Sequence, residues 1–230
     1  GVMRYLEEHG IGFDTGVAKV PIVPAAVIFD LSIGDSKKRP DFKMGYEACL
    51  RAVDINDAMG NVGAGTGATV GKFLGDEFSM KGGLGTASVK VGKLVVGALV
   101  VVNCLGDVID PDTGQIIAGA LNKDKTGFAD IMELIRRGVS GKESIGRNTT
   151  IGVVATNAML SKAAANKVAS MAHNGLSRTI RPVHTMYDGD TIFCMANGKS
   201  RKRYIHSRNS GGRHYVKGGS QGGGKSRDFV

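Results

Sequence analysis

Alternating apolar and polar side chains mark the middle of the chain as a β-hairpin. Residues 87–91 alternate in polarity, Gly92-Lys93 follow, and an apolar run continues to Asn103. A period of two residues suits a strand with one buried face, and a two-residue connection containing Gly suits a tight turn. The pattern therefore predicts two antiparallel strands joined at Gly92-Lys93.

Three further stretches have the composition of buried strands. Residues 20–33 read VPIVPAAVIFDLSI, an apolar run that is entered through Pro21 and Pro24. Short runs rich in apolar and β-branched side chains also occupy residues 151–155 and 191–196. Runs of this length between turn residues are typical of strands inside a sheet.

Apolar residues recur at helical spacing in three other stretches. Residues 42–58 predict one helix, and a shorter helix begins near Phe128 and closes at Gly138. Residues 159–173 predict an amphipathic helix, and the Asn174-Gly175 that follows is typical of a helix stop.

Buried strands combined with one-faced helices predict a layered α/β (α+β) fold. The strands pair through hairpins and the helices follow in blocks, which argues against a doubly wound parallel sheet. Residues 107–126 are polar and predict an irregular connection. From Lys199 onward no apolar period is visible, so we expect one domain over residues 1–198 and a disordered, glycine-rich tail over residues 199–230.

The net charge of +9 is concentrated in that tail, which holds nine of the 30 basic residues and one of the 21 acidic residues. A basic tail can bind phosphate backbones without sequence specificity. A non-catalytic scaffold with a nucleic-acid-binding arm is therefore one alternative for the function. A solvated, disordered end explains the same composition, and nucleic acid is not the partner that we expect.

The sequence does not support a membrane or secreted protein. Its longest apolar run, residues 94–102, is shorter than the roughly 20 residues that cross a bilayer. The chain opens at Gly1 without a charged-then-apolar signal segment, and we expect it to start within a domain. Three widely spaced cysteines with no C-x-x-C pair fit a reducing compartment. We therefore expect a cytoplasmic protein with small, buried cysteines.

The glycine-rich loop at residues 60–72 contains GAGTGA, which formally matches a dinucleotide-binding pattern. That pattern must follow a strand, whereas a helix is predicted here, so a dinucleotide-dependent oxidoreductase is disfavoured. A phosphate loop also fails, because Phe73 follows Gly71-Lys72 where Ser or Thr is needed. The aspartates at residues 107–112 lack calcium-loop spacing. We expect no cofactor, no metal, and a loop for close backbone packing.

Asn148-Thr149-Thr150 is a more informative junction, because hydroxyl residues follow a polar loop at the mouth of a predicted strand. If the bond before Thr149 breaks, its hydroxyl gains its own α-amine as a general base. The reference pKa of such an amine is about 7.7–8.0, which suits proton transfer near neutral pH. Thr is also common in strands, so spacing alone leaves a purely structural role open.

Six segments of the chain, in order, resemble the family of L-aminopeptidase/D-esterases, which includes β-peptidyl aminopeptidases and endo-type 6-aminohexanoate-oligomer (nylon oligomer) hydrolases. The segments are GVMRYLEEHGIGFD, VPIVPAAVIFDL, GNVGAGTGATVGK, VVNCLGDVIDPDTG, NTTIGVVATNA and YDGDTIF. The match covers residues 1 to about 198, and the threonine with its preceding Asn looks closest to the nylon-oligomer branch. The resemblance implies an αββα four-layer sandwich, like that of N-terminal-nucleophile hydrolases, and a homo-oligomer.

The resemblance also implies roles for individual residues. Thr149 in NTTIGVVATNA matches the nucleophile, and Asn103 in VVNCLGD matches the residue that stabilises the oxyanion. Lys72 in GATVGK matches a lysine near the nucleophile, and Asp188 and Asp190 in YDGD match an acidic pair beside its amine. An amide donor suits an oxyanion, and paired carboxylates can orient an ammonium.

The chain departs from the family pattern at several points. Relatives carry a further segment before the equivalent of Gly1, end differently after the YDGD strand, and often have Tyr at the position of Phe29. The prediction is nevertheless a hydrolase that cleaves itself between Asn148 and Thr149 and then cleaves amide bonds of small peptides or oligoamides through an acyl-enzyme. An inactive fragment is the remaining alternative.

Overall fold

The computed structural model describes residues 1–54, 58–142 and 147–200 of the 230-residue chain. The α-helices of these ranges are α1 (Val2–Glu8), α2 (Phe42–Leu50), α3 (Ile131–Arg136) and α4 (Lys162–Thr179). The strands are β1 (Phe13–Asp14), β2 (Lys19–Val20), β3 (Thr69–Val70), β4 (Met80–Lys81), β5 (Gly83–Val91), β6 (Leu94–Asn103), β7 (Asp107–Ile109), β8 (Ile116–Ala118), β9 (Thr149–Ala158), β10 (Ile180–Arg181) and β11 (Thr191–Ser200).

The central sheet has four strands in the order β11-β9-β6-β5. β5 and β6 form the predicted hairpin and pair Val91 with Leu94 across Gly92-Lys93. β6 also pairs antiparallel with β9, and β9 pairs parallel with β11. The strands predicted at residues 151–155 and 191–196 are therefore confirmed. A parallel pair needs a crossover connection, and α4 lies in that connection.

α4 packs against β11 and β9 on one face of this sheet. The hydroxyl of Ser161 caps the helix by accepting a hydrogen bond from the backbone N–H of Ala164 at 3.2 Å. The helix continues to Thr179, so the stop predicted at Asn174-Gly175 is wrong. Leu176 is buried in the core, and its burial outweighs the weak local signal for a stop.

The core joins the central sheet, α4 and a second sheet with the order β10-β7-β8. Its buried members are Val70, Val102, Cys104, Val108, Leu176 and Ile180. Cys104 is buried as predicted, Cys49 and Cys194 are half-buried, and all three thiols are free. The predicted mixed α/β class is confirmed.

The opposite face of the central sheet carries an open groove of about 600 Å³ between β5, β6 and β9. Leu99 on that face is 42% exposed. The four-layer αββα arrangement therefore stays a prediction for this chain. Among the described helices, none is long and apolar enough to cross a bilayer.

Residues 20–33 are not the predicted strand. Strand structure ends at Val20, and Ile22 and Val27 are 74% and 80% exposed. Pro21 and Pro24 have no N–H to donate to a neighbouring strand. In the described ranges, residues 21–33 have no strand partner, so their apolar side chains do not form a buried sheet edge.

Two other predicted boundaries are also wrong. The helix expected over residues 42–58 ends at Leu50, which is 60% exposed. Beyond that point Val53 is 67% exposed, and residues 55–57 lie outside the described ranges. The tail was expected from Lys199, but Lys199 and Ser200 complete β11. Residues 201–230 lie outside the described ranges.

The connection at residues 107–126 is also more ordered than predicted, because it contains β7 and β8. The polar residue Asp107 is 2% exposed. Its carboxylate accepts hydrogen bonds from the backbone N–H groups of Ala120 and Ile131, each at 2.8 Å. A polar side chain therefore occupies a core position of β7. Because of it, the strand lacks the run of apolar residues by which a buried strand is predicted.

Candidate active site

Asn103 and Thr149 stand opposite each other at the ends of two paired strands. Asn103 is the last residue of β6, Thr149 is the first residue of β9, and their Cα atoms are partners in the antiparallel register. Cross-strand partners share one face of a sheet. Both residues are buried, so an amide and a hydroxyl meet at one sheltered edge of the central sheet.

The peptide carbonyl before Thr149 accepts two hydrogen bonds. Thr149 Oγ1 donates to the carbonyl oxygen of Asn148 at 2.6 Å, and the backbone N–H of Gly189 donates to the same oxygen at 2.8 Å. A Cβ at position 189 would lie 3.1 Å from Thr149 Oγ1. The absence of a side chain on Gly189 therefore lets a backbone donor and a hydroxyl converge on one carbonyl.

Lys72 is buried next to Asn103, at 3% exposure. Its Nζ donates to the backbone oxygen and to Oδ1 of Asn103, both at 2.9 Å, and to the carbonyl oxygen of Arg147 at 3.1 Å. These three acceptors match the three N–H donors of an ammonium. Burial nevertheless disfavours the charge and lowers the pKa of Lys72 to about 8.

The side-chain amide of Asn103 is held at both ends. Lys72 donates to Oδ1, and Nδ2 donates to the carbonyl oxygens of Arg147 at 3.0 Å and Phe29 at 3.3 Å. The resemblance assigns the side-chain amide of Asn103 to the oxyanion. Here this amide binds the carbonyl of Arg147, one residue upstream of the Asn148 carbonyl. In the continuous chain, the N–H donor of Asn103 Nδ2 is therefore already engaged by the carbonyl of Arg147.

The glycine-rich loop carries Lys72 into this position. The backbone N–H of Gly71 bonds the carbonyl of Gly106 at 3.1 Å, and the N–H of Lys72 bonds that of Leu105 at 3.0 Å. Gly71 has a φ of 71°, and a Cβ there would lie 2.0 Å from the nitrogen of Ala120. Only glycine fits this position, so the loop serves the close backbone packing that its sequence predicts.

Asp188 and Asp190 bind different partners. Asp188 Oδ2 accepts hydrogen bonds from the backbone N–H and the hydroxyl of Thr185, at 2.9 and 2.6 Å. Asp190 Oδ1 accepts from the backbone N–H of Thr150 at 2.7 Å, and its Oδ2 lies 2.7 Å from His184 Nδ1. Asp190 therefore binds the backbone of the residue directly after the predicted nucleophile.

Arg147 anchors the segment that enters the junction. Its guanidinium forms an ion pair with Asp76 at 2.5 Å and lies 5.7 Å from the ring centroid of Phe29. Its carbonyl oxygen is the acceptor shared by Lys72 and Asn103. The chain before the junction is therefore held through both a side chain and the backbone.

The fold thus brings the five predicted site residues together. Among the residues that bind them, Gly189, His184, Thr185 and Arg147 were not predicted as site residues. Gly189 had a signal, because it lies between two predicted aspartates. No motif in the sequence indicates His184 or Thr185, because only the folded loop before β11 brings them into contact with the two aspartates. Within the described residues, no three His, Cys, Asp or Glu side chains cluster as metal ligands.

A hydroxyl, a buried ammonium, an amide and two carboxylates at one junction of the backbone are the groups that amide-bond hydrolases assemble. Comparison with known sequences agrees with that class. The profile of "Peptidase family S58" matches residues 1–221. The chain belongs to peptidase family S58, and the family resemblance seen in its motifs is confirmed.

Two relatives illustrate the match. An "Uncharacterized aminopeptidase" of Mycobacterium bovis is 46% identical over 206 residues, which cover 86% of this chain and 57% of the relative. A "6-aminohexanoate-oligomer endohydrolase" of Paenarthrobacter ureafaciens is 33% identical over 186 residues, which cover 79% of this chain and 51% of the relative. The chain thus spans little more than half the length of these relatives.

Solved structures give a weaker likeness. A Burkholderia beta-aminopeptidase superimposes with a TM-score of 0.45 at 23% identity, covering 78% of this chain and 43% of that chain. An L-aminopeptidase D-Ala-esterase/amidase from Ochrobactrum anthropi, described as a variant of the Ntn hydrolase fold, gives 0.40 at 22% identity, covering 66% and 35%.

Proposed function

We propose that this chain carries the catalytic site of a self-processing amide hydrolase whose nucleophile is Thr149. The observation that carries the proposal is the carbonyl of Asn148, which receives the hydroxyl of Thr149 at 2.6 Å and the N–H of Gly189 at 2.8 Å. A nucleophile and an oxyanion donor on one carbonyl are the two requirements of acyl transfer. Family membership supports the same chemistry.

Self-cleavage begins when Thr149 Oγ1 adds to the carbonyl carbon of Asn148. The N–H of Gly189 stabilises the oxyanion that forms. Collapse breaks the bond to the nitrogen of Thr149, which takes up the proton that Oγ1 released during the attack, and leaves an ester on Oγ1. Water then hydrolyses the ester, which leaves a carboxylate on Asn148 and a free α-amine and hydroxyl on Thr149.

Turnover uses the same hydroxyl with the new amine as its base. The amine takes the proton of Thr149 Oγ1 as this oxygen attacks the substrate amide, and the proton then goes to the departing amine. Asn103 Nδ2 donates to the substrate oxyanion once the carbonyl of Arg147 has left it. Water releases the acyl group from Thr149.

The charged residues hold the geometry around that amine. Lys72 fixes Asn103, while Asp188 and Asp190 provide negative charge that stabilises an ammonium on Thr149. No step of this sequence calls on a cofactor.

We propose small peptides or oligoamides as substrates, acted on by a homo-oligomer in the cytoplasm. The activities for which the relatives are named, aminopeptidase and 6-aminohexanoate-oligomer endohydrolase, support this class. Binding of nucleic acid by the basic residues 199–230 is the alternative function. Such binding weakens steeply as salt rises, whereas amide hydrolysis does not follow that salt dependence.

Intact-mass measurement on the purified chain tests the proposal. Cleavage before Thr149 yields chains of 148 and 82 residues, and hydrolysis of a dipeptide amide should accompany their appearance. A chain that stays at 230 residues and hydrolyses no amide would contradict the proposal.

A further inference from the structure

His184 lies at the rim of the candidate site and reaches one of its acids. Its Nδ1 is 2.7 Å from Asp190 Oδ2. The side chain of His184 is 35% exposed, whereas that of Asp190 is 4% exposed. An ionised carboxylate only accepts hydrogen bonds, so Nδ1 is the donor. A half-exposed imidazole therefore provides the second hydrogen bond to a buried carboxylate.

The other oxygen of Asp190 holds the backbone of the nucleophile segment. Oδ1 accepts from the N–H of Thr150 at 2.7 Å. Rotation about the Cβ–Cγ bond of an aspartate is soft, and hydrogen bonds at both oxygens restrict it. Without His184, the carboxylate of Asp190 is free to turn away from Thr150.

The neighbouring residue holds the other acid in the same way. Thr185 donates its N–H and its hydroxyl to Asp188 Oδ2. Two consecutive residues, His184 and Thr185, thus each fix one member of the acidic pair. His184 has a φ of 52°, a left-handed conformation that His, Asn and Asp adopt more readily than other side chains.

We propose that His184 is a positioning residue for the acidic pair. Its hydrogen bond keeps Asp190 on the N–H of Thr150 and thereby fixes the start of β9, where Thr149 lies. The inference rests on the proposed function, because Thr149 and Asp190 have their catalytic roles there. In the described ranges, the titratable groups next to the imidazole of His184 are Asp190 and His173. His173 lies on α4, and its ring centroid is 5.0 Å from that of His184.

Three variants distinguish the effect of the hydrogen bond to Asp190 from the effects of the size and charge of the His184 side chain. His184→Gly removes the imidazole and tolerates the positive φ. In His184→Asn, the side-chain N–H donor lies the same number of bonds from Cα as Nδ1 does in histidine. Asparagine also tolerates the positive φ and carries no charge. His173→Asn makes the same change on the neighbouring ring, for which no hydrogen bond to Asp190 is described.

Turnover of a dipeptide amide should fall in His184→Gly by about tenfold or more in kcat, with KM within about threefold of the wild type. His184→Asn should recover kcat to within about threefold, and His173→Asn should match the wild type. Thermal melting checks that all variants are folded. Wild-type kcat in folded His184→Gly, or no recovery in folded His184→Asn, would overturn the inference.

Hydrogen exchange of the Thr150 amide provides a readout that needs no activity. Because Asp190 holds this amide, exchange should be about tenfold faster in His184→Gly and be restored in His184→Asn. Unchanged exchange in His184→Gly would overturn the inference even in an active enzyme. An inactive wild type whose Thr150 exchange still responds to His184 would instead contradict only the proposed function.

Discussion

The hydroxyl oxygen of Thr149 lies 2.6 Å from the carbonyl oxygen of Asn148, across the peptide bond that joins the two residues. The N–H of Gly189 holds the same carbonyl at 2.8 Å. A carbonyl that is fixed by a backbone donor is polarised toward attack, and the hydroxyl is already beside it. The pair therefore defines both the proposed bond to be cleaved and the group that cleaves it.

Gly189→Ala should slow self-cleavage by about tenfold. The new Cβ would lie 3.1 Å from Thr149 Oγ1, which is close enough to displace the hydroxyl from the carbonyl of Asn148. Position 189 does not have a positive φ, so crowding of the hydroxyl is the main change. A time course of intact mass after synthesis measures the rate.

Gly175→Ala is the matched control, because a Cβ on this residue of α4 would have nothing within 4 Å. It should cleave at the wild-type rate. If Gly189→Ala also cleaves at that rate, the close approach of Gly189 to the hydroxyl has no part in the reaction.

Lys72→Met should change how stability depends on pH. Burial lowers the pKa of Lys72 from 10.5 to about 8, so between these values the unfolded chain binds more protons than the folded chain. The free energy of unfolding therefore rises with pH across that window, by about 3 kcal/mol from this residue. Urea unfolding at about pH 8 and about pH 10.5 should show that this rise is lost in Lys72→Met.

The comparison must be made between variant and wild type at each pH. Burial raises the pKa of the Cys104 thiol above its usual range, and this opposes the effect of Lys72 as pH rises. Cys104 is present in both proteins, so it cancels to first order in the difference. Lys81→Met, at an exposed position of β4, should retain the wild-type rise. An equal rise in Lys72→Met and the wild type would contradict the prediction.

The regular parts of the fold were predictable because local pattern and tertiary environment agree there. The hairpin around Gly92-Lys93 has alternating side chains, and its strands indeed pair. Residues 20–33 have an equally apolar sequence, but hydrophobicity does not specify a pairing partner, and Pro21 and Pro24 cannot donate hydrogen bonds. An apolar run alone therefore predicted a strand that the fold does not contain.

The candidate site was predictable only where a motif carried it. Thr149, Asn103 and Lys72 lie in segments that resemble a known family, and the fold brings them together. His184 has no such motif, and its contact with Asp190 depends on the turn that leads into β11. Side-chain partners set by a loop's three-dimensional path leave no periodic trace in the sequence.

Asp107→Ala should lower the free energy of unfolding by about 3 kcal/mol near neutral pH. Its carboxylate is the acceptor for two backbone N–H groups, those of Ala120 and Ile131. Both donors would lose that acceptor in the interior. Asp112→Ala, at an exposed position of the same connection, should cost less than about 1 kcal/mol. Equal urea midpoints for the two variants would contradict the structural role of Asp107.

Burial raises the pKa of Asp107 to about 6. The folded chain then holds its proton more tightly than the unfolded chain between about pH 4 and about pH 6. The contribution of this ionisation to the free energy of unfolding therefore falls as pH rises through that window and is constant above it. Asp107→Ala should remove this slope, which a series of urea titrations across the window measures.

Isosteric replacement of the two adjacent threonines tests the assignment of the nucleophile. Thr149→Val removes the hydroxyl that lies beside the carbonyl of Asn148, so the chain should stay whole and inactive. Thr150→Val retains the backbone N–H that binds Asp190, and it removes a buried hydroxyl for which the described residues provide no hydrogen-bond partner. That variant should therefore split and be at least as stable as the wild type.

The pair of outcomes, read by intact mass, decides between the two hydroxyls. Thr149→Ser is the control, because serine keeps a nucleophilic oxygen at the same position, and it should split like the wild type. A chain that splits with Thr149→Val, or that stays whole with Thr150→Val, would move the nucleophile by one residue. The geometry favours Thr149, because Thr150 follows it on the opposite face of β9, away from the carbonyl of Asn148.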